Sequence, residues 1–401
     1  MNSQSVYVID AVRTPVGKYA GTLSSVRPDD MVAGAMKALM ARNPNVPFNE
    51  TEEVILGAAN QAGEDNRNVA RMAVLLAGLP THVAGYTINR LCASGLQAIA
   101  NGFMEIKAGN GELYIVGGVE SMSRAPFVMA KSETAFNRVP EIHDTTIGWR
   151  FTNPELSKLY HPYTMGETAE NVVDKWKISR ETQDEFAYNS QLKWQEAHKN
   201  NAFKDEIVPV TIKRKKGDPI VFDTDEQPRL STVDVLAGLR PAFKKDGSVT
   251  AGNSSGVNDG ASVLAICSEA FATQNGITPK VKILASAASG VEPAIMGIGP
   301  VEATRKALKR AGLNISDIGL FELNEAFASQ SIACIQELGI DPKIVNINGG
   351  SIAIGHPLGA SGARISTTLI HAMQKRKDIR YGVATMGVGV GQGVAVVYDN
   401  V

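Results

Sequence analysis

The runs Leu91-Cys92-Ala93-Ser94-Gly95 and Gly355-His356-Pro357-Leu358-Gly359-Ala360-Ser361-Gly362 each set a reactive side chain among small residues just ahead of a helical pattern. Unpaired N–H groups and the dipole at a helix start favour negative charge. A thiolate at Cys92 would be stabilised by that setting. A histidine brought to it by the fold could serve as its base. The spacing of Leu96, Ile99, Phe103 and Ile106 gives the segment after Cys92 one apolar helical face. Cys267 and Cys334 instead lie inside apolar runs and read as small core residues. Each reading has a plain alternative: Cys92 as a structural thiol, and His356 as a turn residue bonded to the main chain. Asn324, in Glu322-Leu323-Asn324-Glu325-Ala326, follows a strand pattern and reads either as a functional amide at a strand end or as a helix N-cap. The run Gly387-Val388-Gly389-Val390-Gly391-Gln392-Gly393 lacks the Lys and Ser/Thr of a phosphate loop. It fits a close approach of backbone N–H donors to a substrate better.

The elements that must carry these residues follow from length and pattern. A chain of 401 residues is long for one hydrophobic core, so at least two packed units are expected. A formal net charge of −1 leaves no field that would recruit nucleic acid or an anionic membrane. No apolar run reaches membrane-spanning length, and the strand pattern Val6-Tyr7-Val8-Ile9 begins too soon after Met1 for a signal or transit peptide. A cytoplasmic protein without a disulfide framework is therefore expected.

Short β-branched runs alternate with helical patterns, which predicts a mostly parallel α/β sheet. The strand candidates are Ser5–Val12, Glu53–Leu56, Leu113–Val116, Ser262–Cys267, Val281–Ser289, Gly319–Leu323, Gly382–Met386 and Gly393–Tyr398. The halves repeat faintly. Ala35-Met36-Lys37-Ala38-Leu39 leads through Val54-Ile55-Leu56 to Asn60-Gln61-Ala62, as Ala303-Thr304-Arg305-Lys306-Ala307-Leu308 leads through Ile318-Gly319-Leu320 to Asn324-Glu325-Ala326. Cys92-Ala93-Ser94-Gly95 and Gly359-Ala360-Ser361-Gly362 then occupy matching places, so two copies of one βαβα unit are inferred, against chance likeness of Ala-rich helices. Between Ser121 and Ser255 the character changes to Pro, His, Asn and aromatic residues, then to a charged helix, then to the basic run Lys213-Arg214-Lys215-Lys216. An inserted segment of this kind suits a cover over a binding site. The basic run reads as a solvated face or, with Arg229 nearby, as a patch for a phosphorylated ligand.

Over essentially its whole length the chain resembles the thiolase family. The likeness rests on Val12-Arg13-Thr14-Pro15, Cys92-Ala93-Ser94-Gly95, Gly117-Gly118-Val119-Glu120-Ser121-Met122-Ser123 and Met165-Gly166-Glu167-Thr168-Ala169-Glu170-Asn171. It continues in Arg240-Pro241-Ala242-Phe243, Thr250-Ala251-Gly252-Asn253-Ser254-Ser255-Gly256, Asn324-Glu325-Ala326-Phe327, and Asn348-Gly349-Gly350 with Gly355-His356-Pro357. The resemblance implies duplicated halves with mixed five-stranded sheets in an αβαβα layering plus an inserted loop domain. The expected divisions are 1–121 with 256–279, 122–255 for the CoA-binding loop domain, and 280–401. It also implies reversible cleavage of a 3-oxoacyl-CoA by CoA. Cys92 would be acylated, with His356 activating it. His356 and a water held by Asn324 would form one oxyanion hole, and the N–H groups of Cys92 and Gly389 the other. Arg229, Ser255, Met165 and Phe327 match positions along the CoA channel. The CoA thioester is substrate rather than resident cofactor, no metal is expected, and a homodimer or homotetramer is implied.

Two departures qualify the likeness. Gly387 stands where the family carries its second cysteine, in Cys-x-Gly, the acid and base for the α-carbon and the CoA thiol. Loss of such a group costs about 10²–10⁴-fold in rate. Thr164 precedes Met165 where biosynthetic acetoacetyl-CoA thiolases tend to carry His, and Asp144-Thr145-Thr146-Ile147-Gly148-Trp149-Arg150-Phe151 resembles the degradative 3-oxoadipyl-CoA thiolases. Arg150 or a neighbour is then the expected contact for a substrate carboxylate. The competing readings are a decarboxylating ketoacyl synthase, a non-catalytic acyl-CoA-binding protein suggested by Gly387, and a papain-like protease, which the cysteine's surroundings disfavour.

Overall fold

The computed structural model describes residues 4–401, so residues 1–3 of the expected 1–121 unit lie outside the described residues. The first half runs β1 (Val6–Arg13), β2 (Gly17–Lys18), α1 (Pro28–Arg42), β3 (Glu53–Gly57), α2 (Val69–Ala77), β4 (Ala84–Ile88), α3 (Ser94–Ala108) and β5 (Leu113–Ser121). The intervening stretch holds the small strands β6 (Phe127–Met129) and β7 (Ile142–Asp144), helices α4 (Pro154–Leu159), α5 (Met165–Trp176) and α6 (Arg180–Lys199), the hairpin β8 (Val210–Ile212) and β9 (Ile220–Phe222), and α7 (Val233–Ala237). The chain returns through β10 (Asn258–Ser268) and α8 (Glu269–Gln274). It then builds β11 (Val281–Gly290), α9 (Gly299–Ala311), β12 (Ile318–Leu323), α10 (Ala328–Leu338), α11 (Ser351–Ile354), α12 (Leu358–Lys375), β13 (Tyr381–Val388) and β14 (Gln392–Asn400).

The strand order is β12-β13-β14-β11-β1-β10-β5-β3-β4, with β2 beside β10. One expectation is corrected here. The sheet is not mostly parallel: β3–β4, β3–β5 and β12–β13 run parallel, and the other pairs are antiparallel. Helical crossovers impose the parallel pairs, whereas β14 returns from a tight hairpin and β10 from the long insertion, which impose no such direction. The two half-sheets meet where β1 pairs with β11, edge to edge. At that seam Tyr7 pairs with Lys282, Val6 with Ile283 and Val8 with Val281, and the shift that lays Tyr7 on Lys282 lays Val8 on Ile283 and Asp10 on Ala285. The bulge between Val8 and Asp10 recurs at the same place in the repeat, between Ile283 and Ala285.

The repeat extends to helix ends. α2 and its counterpart α10 both stop at a left-handed glycine, Gly78 and Gly339. One apolar cluster lies between α1, α2 and the first-half strands, and another between α9, α10 and the second-half strands. A central cluster packs α3 and α12 between strands of both halves. The layering is therefore helix, sheet, helix, sheet, helix. Every residue of α12 from Gly359 to Met373 is buried. α3 and α12 approach through glycines: a Cβ on Gly95 would stand 2.7 Å from the Gly359 carbonyl oxygen, and one on Gly362 would stand 2.2 Å from Leu96 N. This contact lays the His356 loop against the start of α3. The insertion is pinned to β1 by the buried Arg13, whose guanidinium reaches Glu206 at 2.6 Å and Asp225 at 2.7 Å. Among the described residues no helix is long and apolar enough to cross a membrane.

Candidate active site

Cys92 stands one residue before the α3 N-cap, on a turn closed by Ser94. The Ser94 hydroxyl donates to Leu91 O at 2.6 Å and accepts from Arg90 N–H at 2.9 Å. Leu91 takes φ +46°, and across the site Val390 takes φ +61°, a conformation costly for a β-branched side chain. Strain on both sides of one sulfur is the kind of outlier that gathers at functional sites. Cys92 is half-buried and opens to a cavity of about 310 Å³, whereas Cys267 and Cys334 are fully buried. The backbone N–H groups of Gly389 and of Cys92 itself lie beside Cys92 Sγ and favour its charged form. Two fixed donors converge there on a point where negative charge could develop.

The expected thiolate is nevertheless absent at rest. Burial pushes the Cys92 thiol up to about 11, the two N–H groups recover only part of that rise, and the Glu120 charge adds to it. Desolvation outweighs the stabilisation that backbone N–H groups give a thiolate at this helix start.

His356 is buried in the turn before α12. Its N–H donates to Asn258 Oδ1 at 2.9 Å, and Asn258 in turn donates to Gly17 O and Gln227 Oε1. Gly355 is required at φ +114°, where a Cβ would stand 2.7 Å from both Asn258 and Val16. Burial, with Arg364's positive charge adding to it, lowers the imidazole to about 3. The ring is therefore neutral at physiological pH. Nδ1 lies 2.6 Å from Ser361 Oγ, whose own proton goes to Pro357 O at 3.0 Å. Ser361 must then accept from Nδ1–H, which leaves the lone pair on Nε2.

Asn324 is not a helix cap, since the residue capping α10 is Phe327. Its N–H donates to Thr385 O at 3.0 Å, which places it beside β13, and its Oδ1 accepts from Ser351 Oγ at 2.6 Å. Its buried Nδ2 meets no protein acceptor. Gly387 lies near the end of β13, opposite Gly393. A Cβ built there would meet Met296 O at 3.5 Å and Gly297 O at 3.6 Å, ordinary contacts, and the backbone is not left-handed. A side chain is thus accommodated at Gly387.

The CoA-channel candidates divide between two places. Met165 lines the Cys92 cavity and shares an apolar cluster with Phe327 and Met296. Phe327 packs edge-to-face on Phe243 at 6.1 Å, and Ser255 N–H donates to Ala326 O beside it. Arg229 lines a second cavity of about 210 Å³ with Tyr188, Gln191 and Leu236, and its guanidinium donates to Ala251 O at 2.6 Å. The run 213–216 sits at the β8–β9 turn, whose strands pack on the first-half core, and lines neither cavity.

Glu120 was passed over as a site residue. It lines the Cys92 cavity at the end of β5 and accepts from the N–H groups of Ala59 and Gly359 at 2.8 Å and of Asn60 at 3.2 Å. Burial raises it to about 7 against those three donors. An acid ending a strand that is otherwise small or apolar was the signal for it.

Comparison with known proteins follows the same lines. The family description "Thiolase, N-terminal domain" fits residues 6–270 and "Thiolase, C-terminal domain" fits residues 277–400. The 3-oxoadipyl-CoA/3-oxo-5,6-dehydrosuberyl-CoA thiolase of Escherichia coli K12 is 52% identical over 401 residues, covering 99% of this chain and 100% of the relative. The beta-ketoadipyl-CoA thiolase of Pseudomonas aeruginosa is 53% identical over 402 residues, covering 100% of both. Among solved structures, the acetyl-CoA acetyltransferase of Bacillus anthracis superposes with a TM-score of 0.93 at 42% identity, covering 100% of this chain and 99% of that one. Human mitochondrial 3-ketoacyl-CoA thiolase superposes with a TM-score of 0.93 at 39% identity over 100% of both chains.

Proposed function

This chain belongs to the thiolase family, and on that premise we propose that it transfers an acyl group to CoA by cleaving a carboxylated 3-oxoacyl-CoA, of which 3-oxoadipyl-CoA is the type, or runs the reverse condensation. The observation that carries the reading is the one thiol that lines the cavity, Cys92, with its own N–H and that of Gly389 beside it. The names of the relatives from Escherichia coli and Pseudomonas aeruginosa supply the carboxylated acyl chain.

His356 Nε2 takes the thiol proton as Sγ bonds to the 3-oxo carbon. The resulting alkoxide is met by the N–H groups of Cys92 and Gly389. When the C2–C3 bond breaks, its electron pair passes to C2 as the enolate of acetyl-CoA, held by His356 and an Asn324-bound water. Water protonates C2, which releases acetyl-CoA and leaves hydroxide. The CoA thiol gives its proton to that hydroxide, its sulfur attacks the acyl-Cys92 carbonyl, and the departing Cys92 thiolate recovers the proton held by His356. Gly387 offers no side chain to deliver the C2 proton or accept that of CoA, so these steps are slowed rather than abolished.

Residues 122–255 act in this reading as the CoA-binding loop domain between the halves 1–121 with 256–279 and 280–401. Arg229, Ser255, Met165 and Phe327 line the path of the CoA arm. The protein works in the cytoplasm as a homodimer or homotetramer.

The test is CoA-dependent thiolysis of acetoacetyl-CoA and 3-oxoadipyl-CoA by this chain beside Gly387→Cys, with intact mass reporting acylated Cys92. Cys at this position should raise turnover by about 10²–10⁴-fold while the parent still acylates. Equal turnover of the two proteins would show that another group carries the proton and that this mechanism is wrong.

A further inference from the structure

We infer that Arg364 and Ser351 form a one-way hydrogen-bond relay that fixes which end of the Asn324 amide faces the reacting centre. The inference rests on the proposed function only for its kinetic consequence. The relay itself follows from donor and acceptor inventories.

A guanidinium has five N–H donors and no acceptor. Arg364 Nη2 lies 2.5 Å from Ser351 Oγ, so the hydroxyl oxygen accepts there. Ser351 then has one proton left, and among the described residues Asn324 Oδ1, at 2.6 Å, is the acceptor in reach. The amide must turn its oxygen toward Ser351. Nδ2 is consequently driven to the other side, where it is buried and meets no protein acceptor. An amide turned the other way would set its N–H₂ against a hydroxyl whose proton then had no partner and would present an oxygen to the centre. An oxygen there would repel an enolate, whereas N–H₂ can hold the water that stabilises it.

The parts are held rigidly. Ser351, Asn324 and Arg364 are essentially inaccessible to solvent, and Ser351 opens the short helix α11, whose C-cap Gly355 precedes His356 and donates its N–H to Ser351 O at 2.9 Å. Arg364 lies on α12, with Nη1 3.7 Å from the Glu322 carboxylate. One buried cation thus orients one side of the site through a single hydroxyl. Ser351 and Arg364 are positioning residues, because neither touches substrate.

The consequence is selective. Enolate departure depends on Asn324, whereas attack of Cys92 on a simple thioester depends on the N–H groups of Cys92 and Gly389. Ser351→Ala should therefore slow acylation of Cys92 by acetoacetyl-CoA about 10–100-fold, less than the loss of an oxyanion donor itself because the amide is misoriented rather than removed, and leave acylation by acetyl-CoA within about twofold. Both are read by intact mass in single turnover, with the melting temperature recorded. Arg364→Lys keeps a donor-only cation and should retain more of the acetoacetyl-CoA rate than Arg364→Met. Parallel slowing of both acylations, or no slowing of either, would overturn the relay. If the parent acylates from neither donor, the proposed function fails, and neutron diffraction of the parent judges the relay by itself. Deuterium on Ser351 Oγ directed at Asn324 upholds it, and an amide deuterium directed at Ser351 overturns it.

Discussion

Ser361 Oγ accepts the Nδ1 proton of His356 at 2.6 Å, one helical turn into α12, so the tautomer of this imidazole is set by the helix that follows it. Ser361→Ala removes the acceptor and frees the ring to place its proton on Nε2, where it cannot receive the thiol's. The kcat for thiolysis should fall about tenfold, part of the value of a positioned base, with the KM for CoA unchanged. Steady-state kinetics decides this, and an unaltered kcat would place the tautomer under other control.

Because burial lifts the Cys92 thiol to about 11, alkylation by iodoacetamide in the absence of substrate should climb with pH through the physiological range. The thiolate is the reactive form, so the rate should rise about tenfold per pH unit from 7 to 9.5. Mass spectrometry of the quenched reaction measures it. A plateau by pH 8 would mean that the two N–H groups outweigh desolvation.

His356 makes the folded chain sensitive to acid. Its pKa falls from an ordinary 6.5 to about 3 on burial, so between those values the unfolded chain binds a proton that the folded chain refuses. Stability therefore falls as pH drops through that window. His356→Gln removes this contribution, and its melting temperature should decline less than the parent's between pH 7 and pH 5. Identical declines would assign the acid sensitivity elsewhere.

Arg150 and Glu120 are the charged side chains lining the Cys92 cavity among the described residues, and Arg150 has no carboxylate within ion-pair distance there. Its Nη2 donates to Asn60 O at 3.1 Å. In a Gly387→Cys background, Arg150→Ala should raise the KM for 3-oxoadipyl-CoA about 10–100-fold, in line with a charge-assisted hydrogen bond, and leave that for acetoacetyl-CoA within about twofold. A uniform rise for both substrates would make Arg150 a structural residue.

Much of this was legible in the chain because its cues are local. The runs around Cys92 and His356 carry their own turns, and each of the eight strand candidates falls on a strand of the sheet, although β5 and β10 each run five residues longer than their candidates. β4 was missed because Ala84-Gly85-Tyr86-Thr87-Ile88 is too weakly apolar to stand out, being an edge strand with no fully buried residue. Strand direction was misjudged because alternation reports crossovers and is silent about β10, whose partner lies across the insertion. The state of Cys92 was misjudged for a similar reason, since a helix start is visible in sequence and desolvation by distant elements is not. Glu120, Ser351 and Arg364 act through neighbours far along the chain, and nothing local distinguishes their partners.

The glycine contact between α3 and α12 works as a spacer gauge. With hydrogen in place of methyl at Gly95 and Gly362, the helix axes close to backbone contact, and that closeness fixes how far the Cys92 turn stands from the His356 turn. A single methyl at either position would wedge the two halves apart at their centre and part those turns while leaving both side chains unchanged. The tolerance of the chemistry is thus set by two atoms of hydrogen that never meet the substrate.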